Sequence, residues 1–468
     1  MDEVAKITKR AYHLFDYVGA NDAEHVVVLI GSGASVMEET VEKVNANGGK
    51  TGLIKVRLYR PFDGKALCSA LPHSCRKIAV LDRTKEAGAI GEPLYLDVVC
   101  ALAQNGRADI SVVGGRYGLG LKDFTPSMCY AVIKNLLSPT PKNRFTVGIY
   151  DDLTNTSLDF SEPFITASKD CTACKFYGLG ADGTVGANKN SVKIIGDYTD
   201  LFVQAYFVYD SKKSGGVTIS HLRFGKTPIR SSYLIEQADF VACHNPSYLT
   251  RYDILRDCKD GATLLLNCPC DGFYQLNAYL PSSFKKTVAQ KRLTLYIIDA
   301  TKIANEVGLK GRTSTIMQAA FFLLNPQIMP YKQAIERLKD ALRKKFARKG
   351  EEVIHMNVTA IDKTQSAVQQ IHYPDDWRNG QDESAESAHE NAYFRDFIHP
   401  VLSLQGDKLP TSALSPDGSV PTGTTRWEKH GIAFSVPYWI TENCIQCAQC
   451  SSVCPHAAIR PFILEEKA

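Results

Sequence analysis

Near its C-terminus the chain reads ENCIQCAQCSSVCPHAAIRP, with Cys444, Cys447, Cys450 and Cys454 in the order C-x2-C-x2-C-x3-C-P. Thiolates at this spacing suit iron–sulfur: three from a tight loop grip one 4Fe-4S cube, and the fourth, at the start of the next helix, reaches a second cube. A zinc site would need two pairs closing a tetrahedron and explains neither the three cysteines in a row nor Pro455. One such run supplies half of a two-cube fold, so neither cube has a complete thiolate set here unless an upstream cysteine substitutes. Cys171/Cys174 and Cys268/Cys270 are candidates, and both pairs are read as ordinary buried or partly buried thiols.

A second stretch, GLGADGTVGANKNSVKIIG from Gly178 to Gly196, crowds five glycines together with a threonine and a lysine. Gly178 to Gly183 satisfies G-x-G-x-x-G, but the continuation is neither a clean dinucleotide fingerprint nor a Walker A loop, since no G-K-[ST] follows. A strand feeding such a loop can turn its amides, and the dipole of the next helix, toward an anion. Gly180, Gly183, Thr184 and Gly186 are the candidate binding residues, and Lys189 would add a compact positive charge to a phosphate. The alternative is that the glycines permit close packing and Lys189 pairs with a surface acid. In DRTKEAGAIGEP, the charges of Asp82, Arg83, Lys85 and Glu86 end an apparent parallel strand and are read as pairing locally. Gly31, Gly33 and the Gly114-Gly115-Arg116-Tyr117-Gly118 segment are read as turning the chain.

These motifs sit in alternating strands and helices. Within the first 145 residues, Val26 to Ile30, TGLIKVRLY, KIAVLDR and ADISVVGG are apolar strands, and a helix carries Val36, Val41 and Val44 on one side. A second block is expected from Phe145, with strands at FTVGIY, SVKII, FVACHN, TLLLNC and TLYIIDA and a hairpin or crossover pair at FVQAYFVYD and VTISHLRF. YKQAIERLKDALRKKF places Ile335, Leu338, Leu342 and Phe346 on one stripe, with its basic residues on a solvated face. After Tyr373 come polar and Pro/Gly/Ser-rich connectors with too little apolar surface for a core.

Composition narrows the class. The chain has 468 residues, 44% hydrophobic and 22% charged, with a net charge of +4 and fourteen cysteines. That is enough for two or three cores, and dispersed charge gives no case for a nucleic-acid partner. The longest apolar runs are strand-sized, so no membrane span is expected, and the first ten residues lack a signal-peptide core. Cysteines without a secretion signal are read as thiols in a reducing interior. The expected fold is two consecutive doubly wound α/β domains, a helical and irregular linker, and the start of a bacterial-ferredoxin-like domain for two 4Fe-4S clusters.

FYGLGADGTVGANKNSVKIIG, LDRTKEAGAIGEPLYLDVV, KTPIRSSYLI, GDKLP with PDGSVPTGT, and ENCIQCAQCSSVCPHAAIRP together resemble pyruvate:ferredoxin (flavodoxin) oxidoreductase, in the same order and over nearly the whole chain. The resemblance implies a transketolase C-terminal-like domain over 1–145 and a gamma-type 2-oxoacid oxidoreductase domain with a coenzyme A site over 146–325. It further implies a short linking domain over 326–385, a connector over 386–438 and a truncated ferredoxin-type domain over 439–468. Family members often carry Pro where this chain has Ala87. The implied reaction is oxidative decarboxylation of pyruvate with coenzyme A to acetyl-CoA and CO2, with electrons leaving through 4Fe-4S clusters to ferredoxin or flavodoxin. Thiamine diphosphate and Mg, bound in the family by domains flanking this region, serve as the electron sink. No G-D-G followed by an Asn pair occurs here, so the expectation is an internal fragment that does not decarboxylate pyruvate alone. A homodimer and a cytoplasmic location are implied, with a hydrogenosome or similar organelle as the other option. Two further readings stay open: a fused flavoprotein passing electrons to NADP, and a non-catalytic coenzyme A-binding or scaffold protein.

Overall fold

The computed structural model describes residues 2–180, 182–210, 215–380, 391–427 and 437–463. The chain divides into two compact units, Met1–Glu428 and Lys429–Ala468.

The first unit opens with helix α1 (Asp2–Thr8) and strands β1 (Phe15–Gly19), β2 (His25–Ile30), β3 (Thr51–Val56), β4 (Lys77–Asp82), β5 (Ser111–Arg116) and β6 (Phe145–Thr146). Between them run α2 (Gly33–Ala46), α3 (Gly64–Ala70), α4 (Pro93–Gln104) and α5 (Pro126–Leu137). The strands form one sheet in the order β1-β3-β2-β4-β5-β6, with β1 antiparallel and the others parallel. The unbroken apolar run of β2 follows from burial on both faces: Val27 and Leu29 pack against α2 and α5, and Val26 and Val28 against α3 and α4. FTVGIY closes this sheet instead of opening the next one. Its Phe145 ring fills the space beside Gly115, where a Cβ would lie 2.2 Å from the ring.

In a doubly wound sheet the ligand crevice lies where adjacent strands leave toward opposite faces. Here that point is the C-terminal end of β2 and β4, and Tyr117 occupies it. Its ring lies 2.8 Å from where a Gly33 Cβ would stand, its hydroxyl donates to the Ile30 carbonyl at 3.1 Å, and it is 3% exposed. Beside it, the Asp82 carboxylate accepts from Leu94 N (2.9 Å) and Tyr95 N (3.1 Å) at the start of α4, and Glu92 pairs with Arg116 at 2.5 Å. The glycines of this region therefore turn the chain, as read from the sequence, whereas Asp82 is held by backbone N–H groups and Arg83 donates to the Gly118 carbonyl, in place of the local charge pairing expected. Gly33→Ala drives a methyl into the Tyr117 ring, and a loss of about 1–3 kcal/mol of unfolding free energy is expected, read as a lower urea midpoint.

The second sheet contains β7 (Cys171–Leu179), β8 (Phe202–Tyr209), β9 (Val217–Gly225), β10 (Ala238–Cys243), β11 (Cys258–Asn267), β12 (Thr294–Ile298) and β13 (Gln369–Ile371). Its helices are α6 (Thr184–Tyr198), α7 (Phe273–Tyr279), α8 (Ser282–Gln290), α9 (Ala300–Glu306), α10 (Ser314–Leu324), α11 (Tyr331–Phe346) and α12 (Glu351–Ala367). The order is β13-β12-β11-β10-β7-β9-β8, with β12, β11, β10 and β7 parallel and β8/β9 an antiparallel pair. SVKII, expected as a strand, lies inside α6. Ala187, Ser191, Ile194 and Ile195 are all buried, a spacing of one helical face that a five-residue window does not reveal. Leu338, Leu342 and Ile361 of α11 and α12 share a core with Ile194, Phe321 and Leu265, and β13 extends the sheet. Packing thus continues across the boundary expected at 326. The connector folds back on the first sheet's loops: Lys122 donates to the Asp407 carbonyl at 3.0 Å, and Thr411 N to the Tyr150 carbonyl at 2.9 Å.

Candidate functional site

In the second unit, helix α14 (Gln449–Val453) follows α13 (His399–Leu402) of the connector in chain order. Cys450 lies in α14 and Cys454 caps its C-terminal end. Cys444, Cys447 and Cys450 are exposed and Cys454 is half-buried. Gln446, Ala448 and Ala457 adopt left-handed backbone angles, with φ of 56°, 56° and 50°. Alternating right- and left-handed residues turn successive N–H groups to one side, a concavity suited to anions. Ala458 N donates to Cys454 Sγ at 3.3 Å, and the backbone N–H groups of Ile459, His456 and Ala458 draw the Cys454 thiol below its ordinary range. The Gln446 N–H, then the Trp439 side chain, do the same for Cys444. Such bonds favour the thiolate, the form that ligates metal. Among the described residues no three His, Cys, Asp or Glu side chains converge on one point. The donor set and the amide-lined loop fit 4Fe-4S ligation, and gathering the sulfurs of Cys444, Cys447 and Cys450 is what binding such a cluster would do.

The glycine loop is built differently from the expectation. The Asp182 carboxylate accepts from Leu179 N at 2.8 Å and from Thr184 N at 2.7 Å, so a carboxylate already stands at the positive end of α6. Gly180 N donates to the Gly216 carbonyl at 3.0 Å. Gly183, with φ +87°, has Ser314 Oγ only 2.9 Å from where its Cβ would be. Thr184 is buried, and its Oγ1 is hydrogen-bonded to His244 Nδ1 at 2.8 Å. His244 follows β10 at the point where β7 and β10 leave toward opposite faces. Its carbonyl accepts from Asn267 Nδ2 at 2.8 Å, and its Nε2 has no partner among the described residues. Burial pushes its imidazole down to about 4.

Of the five residues expected at this site, Gly180, Gly183 and Thr184 therefore close the loop on itself. The Thr184 hydroxyl is turned inward, and a phosphate at its amide would meet the Asp182 charge. Of the five only Thr184 is buried, Gly180, Gly183, Gly186 and Lys189 being exposed, and the Lys189 ammonium lies 5.3 Å from the Phe207 ring centre on β8. Sequence reading missed the turn that Asp182 makes just before the Gly183 N-cap, although an aspartate two residues before a helix-starting threonine is a local signal for such a turn. Cys174, Cys268 and Cys270 are buried and Cys171 half-buried, and burial raises all four thiols, in keeping with ordinary core cysteines.

Two doubly wound α/β sheets followed by a four-cysteine loop of this kind are the fold class and ligand set of an iron–sulfur protein. Residues 173–367 match the family described as pyruvate ferredoxin/flavodoxin oxidoreductase, and residues 23–128 match pyruvate:ferredoxin oxidoreductase core domain II. Residues 437–460, which hold all four cysteines of the run, match a 4Fe-4S binding domain, and residues 380–433 a domain of unknown function. The chain belongs to the pyruvate ferredoxin/flavodoxin oxidoreductase family. It is 54% identical over 464 residues to the pyruvate:ferredoxin oxidoreductase of Moorella thermoacetica and 50% identical over 467 to the pyruvate-flavodoxin oxidoreductase of Rhodospirillum rubrum. It is also 43% identical over 497 residues to the NADP(+) pyruvate dehydrogenase of Cryptosporidium parvum. These alignments cover 99%, 98% and 100% of this chain but 39%, 39% and 26% of the relatives. Among the described residues no helix is long and apolar enough to cross a membrane.

Proposed function

We propose that this chain is the part of a pyruvate-oxidising, coenzyme A-dependent enzyme that combines two α/β layers with cluster ligands. The whole enzyme converts pyruvate and coenzyme A to acetyl-CoA and CO2 as a cytoplasmic homodimer. The observation that carries the reading is the C-x2-C-x2-C-x3-C-P loop itself, where Ala458 N donates to Cys454 Sγ at 3.3 Å, within the stretch that matches a 4Fe-4S binding domain. Cys444, Cys447 and Cys450 hold one 4Fe-4S cluster and Cys454 reaches a second. Electrons pass through these clusters one at a time toward ferredoxin or flavodoxin. Thiamine diphosphate with Mg, held outside this stretch, supplies the electron sink for decarboxylation. Coenzyme A meets the Gly180–Lys189 segment through Gly186 and Lys189, since the Thr184 hydroxyl is engaged internally.

Anaerobic reconstitution with iron and sulfide tests the ligand assignment. A protein containing this chain together with the remaining cluster ligands is expected to bind iron and sulfide in equal amounts with visible absorption, Cys447→Ser to lose one cluster's share of both, and Cys268→Ser to retain them. Iron binding undiminished in Cys447→Ser overturns the assignment. Pyruvate-dependent reduction of ferredoxin by a protein containing this chain tests the reaction. A second reading, with NADP as the final acceptor, is favoured by the 43% identity to the Cryptosporidium enzyme, and reduction of NADP instead of ferredoxin would select it.

A further inference from the structure

Arg223 is buried with no carboxylate paired to it. It lies on β9 opposite Ala173 of β7, is 6% exposed, and donates through Nη1 to Gln204 Oε1 and through Nη2 to the Leu234 carbonyl, both at 3.2 Å. A guanidinium carries five N–H groups, so three have no partner among the described residues. The Tyr233 ring, 4.9 Å away, eases the burial of the charge without neutralising it. The acids nearby are engaged elsewhere. Glu39 accepts from the hydroxyls of Thr166 (3.0 Å), Ser231 (3.0 Å) and Tyr233 (3.3 Å), Asp123 from Leu234 N (2.8 Å), and Asp239 from Lys259 Nζ (2.6 Å) and Ala173 N (2.8 Å). An ion held away from water without a counter-ion is costly, so this position calls for an anion. Arg223 also borders open space. It lines a cavity of about 300 Å³ beside the N-terminal ends of β7 and β10, to which Pro126, Phe164, Ile165 and Ile235 give an apolar wall.

We infer that this cavity binds a small monocarboxylate, whose two oxygens lie on the Arg223 fork and whose apolar part lies against Phe164 and Ile235. A planar carboxylate matches a guanidinium in a bidentate pair. Its single charge also suits the surroundings better than a phosphate dianion, which would stand near the Asp239 and Glu236 that line the same cavity. Glu236 adds little negative charge below neutrality, because burial, then Asp123 and Asp257, raise its carboxyl to about 7. A volume of about 300 Å³ is at the small end of ligand clefts. The cavity is separate from the glycine loop, since β7 runs six residues, about 20 Å, from Ala173 to Leu179. Neither coenzyme A nor the overall reaction is needed for it.

Thermal unfolding of the 468-residue chain in propionate, in its neutral amide propionamide or in chloride, at constant ionic strength, provides the test. About 20 mM propionate is expected to raise the melting temperature by about 2–4 °C over chloride, and propionamide to leave it unchanged. Arg223→Gln is expected to abolish the rise. Because loss of a buried arginine also disturbs folding, Ala167→Trp serves as a second variant: Ala167 is exposed on the cavity wall, so the indole blocks the space without entering the core. That variant should melt in chloride as the unaltered chain does and show no rise with propionate. No rise beyond chloride in the unaltered chain overturns the site, as does an equal rise with propionamide or one that persists in full in Ala167→Trp.

Discussion

Asp257→Ala is expected to cost about 3–5 kcal/mol of folding stability, because it leaves the Lys175 ammonium buried without its partner. Lys175 lies on the central strand β7, its side chain 5% exposed, with its Nζ 2.5 Å from Asp257 Oδ2. The Tyr177 ring stands 5.5 Å from the ammonium, and His221 is directly opposite Lys175 on β9. The other carboxylate oxygen of Asp257 accepts from Arg256 at 3.2 Å. Burial alone would raise the Asp257 carboxyl, but the charges of Lys175 and Arg256 outweigh it and hold the group below its ordinary range. The pair is thus mutually dependent, although its net contribution is small once the desolvation of both ions is counted. Lys175→Met with Asp257→Leu removes both charges and should recover most of the loss. Urea unfolding of the two single variants and the double variant measures this. A double variant as unstable as the sum of the single ones would show that the two residues do not act as a pair.

The buried pair was invisible in the sequence, and the reason applies to most of what was missed. Val26 to Ile30 and Lys77 to Asp82 were legible as strands because burial on both faces leaves an apolar run that ends at glycine or charge. The cysteine run was legible because a cluster's ligands are fixed by local spacing. SVKII failed for the opposite reason: its apolar face becomes visible only when Ala187 and Ser191, earlier in the helix, are taken with it. FTVGIY was recognisable as extended, but its place beside Gly115 depends on a ring contact across thirty residues of chain. At the glycine loop, chemistry was assigned to the residue types that usually carry it. Whether Thr184 faces a ligand or the core is decided by His244, sixty positions away.

Two buried neutral histidines give the fold a pH dependence whose sign is fixed by their environments. His221 Nδ1 accepts from Ile235 N at 3.1 Å, so it is held unprotonated there, and burial, then Lys175 and Arg223, push the imidazole down to about 3. His244 is pushed to about 4 by burial. An unfolded histidine titrates near 6.5. As pH falls below that value the unfolded chain takes up two protons that the folded chain refuses. Stability that is complete above pH 6.5 is therefore lost progressively until pH approaches the folded values. At about 1.4 kcal/mol per histidine per pH unit, the two together remove on the order of 4 kcal/mol between neutrality and pH 5. Asp257 acts in a lower window, since its depressed carboxyl stabilises the fold above the ordinary carboxylate range and that contribution fades only in stronger acid. Glu236 opposes the histidines, since burial raises its carboxyl to about 7 and the folded chain takes up that proton over the same range; His221→Asn, which keeps an acceptor for Ile235 N, and His244→Gln should each make the urea midpoint fall less between pH 7 and pH 5. A decline of unchanged steepness in the double variant would assign the acid sensitivity to other groups.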